Sequence, residues 1–242
     1  GKTTLSECIL FLTGAESRMG AVDVGTAAMD WHSEERERGI TISAAVAHCP
    51  WREHRLQFVD TPGHVDFAAE VRRSLQVLDG AIVVIDALEG VQAQTYSVVH
   101  QARDHSLPLI FVFNKMDRRC AEFASSCESA AEQLGIDIVP LQQAFFEDEK
   151  FCGIIDLVEM KLVRWNPQDD TADCTLHEIP ESLLERATEG HQRLCSKVAD
   201  LNPSCVDQFL EHATLQADVL RSGVADAVRS RSWCPALATS AL

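Results

Sequence analysis

Leu109-Ile110-Phe111-Val112-Phe113 is an uninterrupted apolar run that leads directly into Asn114-Lys115-Met116-Asp117. Five apolar residues without alternation read as a strand buried on both faces of a parallel sheet. The polar tetrapeptide then falls at the carboxyl end of that strand, where open α/β sheets bind their ligands. Upstream, Ala81-Ile82-Val83-Val84-Ile85 reads as a second strand of the same kind. Helical patterns occupy about 66–78, 92–105 and 122–134, and shorter strand-like runs lie at 44–49, 55–59, 136–139 and 235–238. Strands alternating with helices in this way give an α/β fold, doubly wound around a mostly parallel sheet.

Near residue 145 the rhythm changes. Residues 153–158 and 161–165 read as a hairpin, followed by a polar loop (166–175) and helices near 181–200, 204–213 and 215–230. Residues 145–232 are therefore expected to form an α+β insert before the last strand. The remaining core domain is then 1–144 with 233–242.

The bulk composition restricts the function classes. With 242 residues, 46% apolar and 24% charged, the chain can bury a sizeable core. Its formal charge of −16 excludes a broad basic face for nucleic acid, so any RNA contact must be local. Nine scattered cysteines form no C-x-x-C pair, which argues for free thiols in a reducing compartment and not for a metal or disulfide framework. No run reaches transmembrane length, so no membrane partner is expected.

Three further segments carry chemistry. Gly1-Lys2-Thr3-Thr4 precedes an apolar helical stripe (Leu5, Cys8, Ile9, Leu12) and matches the end of G-x-x-x-x-G-K-[ST]. In such a loop, backbone N–H groups hold phosphates, the lysine reaches the β and γ oxygens, and the hydroxyl ligates Mg²⁺. The first glycine of the loop and the strand before it are expected upstream of Gly1, as is the true N-terminus. Arg38-Gly39-Ile40-Thr41-Ile42 closes a long aperiodic stretch, where Thr41 can offer its hydroxyl to Mg²⁺ only in a triphosphate state. Asp60-Thr61-Pro62-Gly63-His64 follows a strand: Asp60 suits Mg²⁺, Gly63 a close backbone approach to a γ-phosphate, and His64 the attacking water.

Asn114 and Asp117 suit the recognition of guanine, because a buried carboxylate can accept from both N1–H and the exocyclic amine. The Lys115 stem can lie over the base plane. Ser240-Ala241-Leu242, after the last strand, can supply a backbone N–H to the guanine O6. The residues expected to hold GTP or GDP are thus Gly1 to Thr4, Thr41, Asp60 to His64, Asn114 to Asp117 and Ser240 to Leu242. Thr3, Thr41 and Asp60 are the expected Mg²⁺ ligands.

Together these segments resemble a translational, P-loop-type GTPase, and within that superfamily the elongation factor G family. Met29-Asp30-Trp31, Glu34 to Ile42, Asp60 to Phe67, Val77 to Ala81 and Asn114 to Arg118 carry the resemblance, which covers the G domain of a longer family protein. Thr41 and Val65 favour elongation factor G over the class-3 peptide release factor. Phe151-Cys152-Gly153-Ile154-Ile155-Asp156-Leu157 resembles an element of the family's inserted subdomain, which elongation factor Tu and the back-translocase lack. Thr239 departs from the pattern, standing where the family usually has glycine.

The resemblance implies a monomer whose GTP hydrolysis is stimulated by large-subunit RNA on the ribosome, among ribosomal proteins, with His64 as the catalytic residue. It implies tRNA–mRNA translocation, with ribosome recycling by subunit splitting or a non-hydrolysing binding fragment as the alternatives. The abundance of cysteine points to an organelle such as the mitochondrial matrix, with bacterial cytoplasm as the other expectation.

Overall fold

The computed structural model describes residues 1–20, 25–27, 29, 41–166 and 173–241. Asp30-Trp31, Glu34 to Ile40, part of the 166–175 loop and Leu242 lie outside the described residues. The chain divides into two compact units, one drawn from 1–79, 93–106 and 241–242, the other from 80–92 and 107–240. This division does not follow the boundaries at 145 and 232, because the second unit contains a parallel sheet as well as the α+β segment.

In the first unit, α1 (Lys2–Leu12) buries Thr3, Thr4, Glu7 and Leu10, the three-to-four spacing of one helix face. Leu10 packs with Met29, Ala45 and Cys49. Thr13 closes the helix through its hydroxyl, which donates to the Ile9 carbonyl at 2.7 Å. Strands β1 (Ala45–Trp51) and β2 (His54–Asp60) form an antiparallel ribbon in which Trp51 faces His54 and Ala45 faces Asp60. The ribbon thus returns Asp60 to the level of Ala45, on the face packed against α1. A 3₁₀ turn (Val65–Phe67) leads into α2 (Ala68–Leu75), which packs on α3 (Ala93–Asp104). The helix expected over 66–78 is shorter: Val77 is 77% exposed, so nothing packs to prolong it.

In the second unit, β3 (Ala81–Asp86), β4 (Leu109–Asn114), β5 (Ile138–Pro140) and β10 (Cys234–Ala238) form a four-stranded sheet ordered β3-β4-β10-β5, every pairing parallel. Central β4 is the buried strand its sequence foretold, with Phe111 and Phe113 fully inaccessible. Phe113 meets Phe123 of α4 (Phe123–Leu134) edge to face at 5.7 Å. β3 is less covered than β4, with Ile82 43% exposed. Among the described residues β3 pairs with β4 alone, whereas β4 pairs on both sides.

A second sheet, β6 (Gln142–Glu147), β7 (Lys150–Asp156), β8 (Lys161–Trp165) and β9 (Cys174–His177), is an antiparallel meander. Leu141 joins it to the parallel sheet by donating to Ala236 and accepting from Leu157, both at 3.0 Å. Helices α5 (Glu181–Leu201), α6 (Val206–His212) and α7 (Ala217–Ser230) complete the unit. Phe145, Ile155, Leu157 and Leu162 of the sheet side share one core with Leu194, Val198 and Leu220 of the helices. All nine cysteines are free thiols, six of them buried. Among the described residues, no helix is long and apolar enough to cross a membrane.

α5 and α7 touch through a glycine. A Cβ on Gly223 would lie 2.2 Å from Val198 Cγ1 and 2.9 Å from its Cγ2. Gly223→Ala should therefore destabilise the fold by about 1–3 kcal/mol, overriding the roughly 1 kcal/mol by which alanine favours a helix. Urea denaturation checks it, with part of the loss recovered when Val198→Ala is added.

Candidate functional site

The phosphate-type residues gather in the first unit. Gly1 caps α1, whose first turn carries Lys2, Thr3 and Thr4. The Thr3 and Thr41 hydroxyls are 3.1 Å apart although 38 residues separate them in sequence. Asp60 ends β2 and is 5% exposed. Burial raises its pKa, while the Thr3 hydroxyl and the Lys2 ammonium draw it back down. Burial lowers the pKa of Lys2, and the charge of Asp60 raises it in part. The Lys2 ammonium lies over Gly63, where a Cβ would come within 2.6 Å of Nζ. Lys2, Thr3, Thr41, Asp60 and Gly63 thus form one cluster.

Asp60 Oδ2 is buried and has no hydrogen-bond partner among the described residues. An orphaned buried carboxylate oxygen costs roughly 1–3 kcal/mol and marks a place where something else binds. One carboxylate and two hydroxyls form a hard, all-oxygen donor set, which suits Mg²⁺ and not zinc or copper. The residues present therefore fit the ion expected from the sequence.

His64 follows Gly63 in the chain. Its ring is 57% exposed and lies 3.9 Å from the Asp66 carboxylate. Thr61 is half-buried, Pro62 and Ala241 are buried, and Leu242 falls outside the described residues.

The base-type residues gather in the second unit, at the carboxyl ends of β3, β4 and β10. Asn114 is 2% exposed and Met116 fully buried, so Met116 anchors the loop and does not face a ligand. The Met116 N–H donates to the Thr239 carbonyl at 3.2 Å, and the Thr239 N–H to the Phe113 carbonyl at 2.9 Å. Threonine at 239 thus makes backbone bonds on both sides of the loop. Asp117 is exposed, not buried as a base-reading carboxylate was expected to be. The Ser240 hydroxyl donates to Asp117 Oδ1 at 2.5 Å and so orients the carboxylate.

Asp86 was missed by the sequence reading. It ends β3 directly opposite Asn114 in the parallel register, and its Oδ2 is 2.6 Å from Lys115 Nζ. Burial, the largest influence, pushes its pKa up, but hydrogen bonds from Lys115 and from the Leu88 and Glu89 N–H groups outweigh it and hold the pKa below the usual value. The available signal was a carboxylate closing an apolar strand, the pattern that picked out Asp60. Glu7 was missed as well: it is 1% exposed on α1, and its Oε1 accepts from the Met29 N–H at 3.0 Å.

Comparison with known proteins finds relatives across the chain. The family model described as "Elongation factor Tu GTP binding domain" matches residues 1–241. Elongation factor G of Fervidobacterium nodosum is 43% identical over 212 residues, covering 87% of this chain and 30% of that protein. Elongation factor G of Anaplasma marginale (strain Florida) and of Ehrlichia chaffeensis are each 40% identical, covering 100% of this chain and 35% of theirs. A crystal structure from Thermus thermophilus aligns over 100% of this chain and 36% of its own, with a TM-score of 0.90 at 29% identity. The chain spans about a third of the length of these relatives.

Proposed function

Because the chain belongs to the elongation factor Tu GTP-binding-domain family, within its elongation factor G group, we propose that it binds and hydrolyses GTP for a ribosomal factor that moves tRNA and mRNA. The observation that carries this reading is the cluster of Thr3, Thr41 and Asp60, with its orphaned carboxylate oxygen. Lys2 and the first turn of α1 hold the phosphates. Thr3, Thr41 and Asp60 would hold Mg²⁺, which when bound would supply positive charge against the phosphates. Thr41 comes from the long segment before β1, so losing the γ-phosphate removes one of its reasons to stay beside Thr3. Gly63 brings backbone close to Lys2, and His64 orients the attacking water. Asn114, Lys115 and Asp117 read guanine.

The residues from about 145 to 232 are, in this reading, the inserted subdomain of the elongation factor G type. The ribosome is the partner, through large-subunit RNA and ribosomal proteins near His64. A charge of −16 confines the RNA contact to a small part of the surface. The relatives named above are bacterial, which favours bacterial cytoplasm; the mitochondrial expectation finds no support in them.

The test is GTP turnover by the full chain with and without ribosomes, run beside a translocation assay and a subunit-splitting assay. Ribosome-stimulated turnover with tRNA–mRNA movement is expected. Subunit splitting without movement would replace translocation by recycling, and no affinity for a fluorescent GDP analogue would overturn the nucleotide reading itself.

A further inference from the structure

We propose that Asp86 is a positioning residue for guanine nucleotide: its carboxylate holds Lys115 and so sets the base-reading loop before the base arrives. This rests on the reading of Asn114 to Asp117 as the segment that meets guanine.

Lys115 has an unusual backbone, with φ at +65° in the left-handed region. A non-glycine residue there is strained and persists only where its surroundings hold it. Backbone bonds supply part of that hold: the Ala87 N–H donates to the Asn114 carbonyl at 2.9 Å, and the Arg118 N–H to the Lys115 carbonyl at 3.0 Å. The long Lys115 side chain is left for Asp86 to fix. Free in solvent, it would populate many rotamers, each to be surrendered when its stem is laid over a base. The ion pair at 2.6 Å removes that freedom beforehand.

Asp86 is itself locked. Its Oδ1 accepts from the Leu88 and Glu89 N–H groups at 3.0 and 3.4 Å, and its Oδ2 also faces the Arg118 guanidinium at 3.6 Å. The turn that follows is pinned to α4, because the Ser126 hydroxyl donates to the Ala87 carbonyl at 2.8 Å. At 17% side-chain exposure, Asp86 differs from the mobile surface carboxylates whose ion pairs contribute little. The contacts run from the end of β3, through a carboxylate held by the Leu88 and Glu89 N–H groups, to the strained lysine of the loop. This is the arrangement that lowers the ordering cost of a ligand site.

Binding of a fluorescent GDP analogue to the full chain tests this with Asp86→Asn, Lys115→Met, the double variant and Asp86→Glu. Asn at 86 keeps an acceptor for Leu88 and Glu89 but loses the charge that holds the ammonium. The dissociation constant should rise roughly tenfold for Asp86→Asn and for Lys115→Met. The double variant should be no weaker than the weaker single, since both remove one contact. Asp86→Glu should recover part of the affinity, and preference for guanine over xanthine should not change in the Asp86 variants. Unchanged affinity in Asp86→Asn, or single effects that multiply in the double variant, would overturn the proposal. An Asp117→Asn arm run alongside isolates the underlying reading: if it alters neither affinity nor base preference, the loop does not meet the base.

Discussion

His64→Ala is expected to reduce ribosome-stimulated GTP hydrolysis by about 10²-fold or more, with little change in the affinity for GDP. Its ring is 57% exposed, and its neighbour Asp66 is 81% exposed at 3.9 Å, so the imidazole contributes little to packing. Exposed substitutions of this kind usually shift stability by no more than about 0.5 kcal/mol. A loss of rate therefore cannot be assigned to unfolding. A factor of 10² corresponds to about 2.7 kcal/mol of barrier, within the range of a single group that orients water or stabilises developing charge. The same exposure predicts slow intrinsic turnover, because nothing described in the chain holds the ring against the Lys2–Gly63 cluster. His64→Gln retains hydrogen-bonding capacity and should fall between the wild type and alanine. Single-turnover rates at saturating ribosome decide the matter; turnover close to wild type in the alanine variant would remove His64 from the reaction.

What could be read from sequence divides along physical lines. Residues 109–117 were legible because a strand buried on both faces must be apolar throughout, and β4 is such a strand. Thr3, Thr41 and Asp60 were legible because each lies in a short motif whose chemistry needs that residue type. The edge strands were not legible in the same way. β9 (Cys174–His177) is exposed along its whole length and therefore carries no burial signature. β6 contains a register shift between Phe145 and Phe146 that breaks its alternation. Asp86, and the side-chain bond by which the expected Ser240 meets Asp117, were hidden for another reason. Their partners, Lys115 and Asp117, are brought near by strand order, and an ion pair between a β3 end and a β4 loop leaves no periodic trace.

Asp117→Asn should move the nucleotide preference from GTP towards xanthosine triphosphate, a swing of about 10³-fold in the ratio of the two affinities. The Asp117 carboxylate offers two acceptors, matching the N1–H and exocyclic amine of guanine. The Ser240 hydroxyl bonds one of its oxygens at 2.5 Å, and that bond fixes the plane in which the carboxylate meets a base. An asparagine keeps the plane, because its carbonyl oxygen can accept from the same hydroxyl. Its amide nitrogen then presents donors where the carboxylate presented an acceptor. Against guanine, this sets donor against the exocyclic amine, and an unpaired polar group in a closed site costs roughly 1–3 kcal/mol. Against xanthine, whose ring carries a carbonyl at that position, the same donor finds an acceptor. The penalty for one base and the gain for the other add in the ratio, which is why the swing exceeds either effect alone. Competition of GTP and xanthosine triphosphate for a fluorescent GDP analogue measures it, and retained GTP preference in the asparagine variant would sink the base-reading role of Asp117.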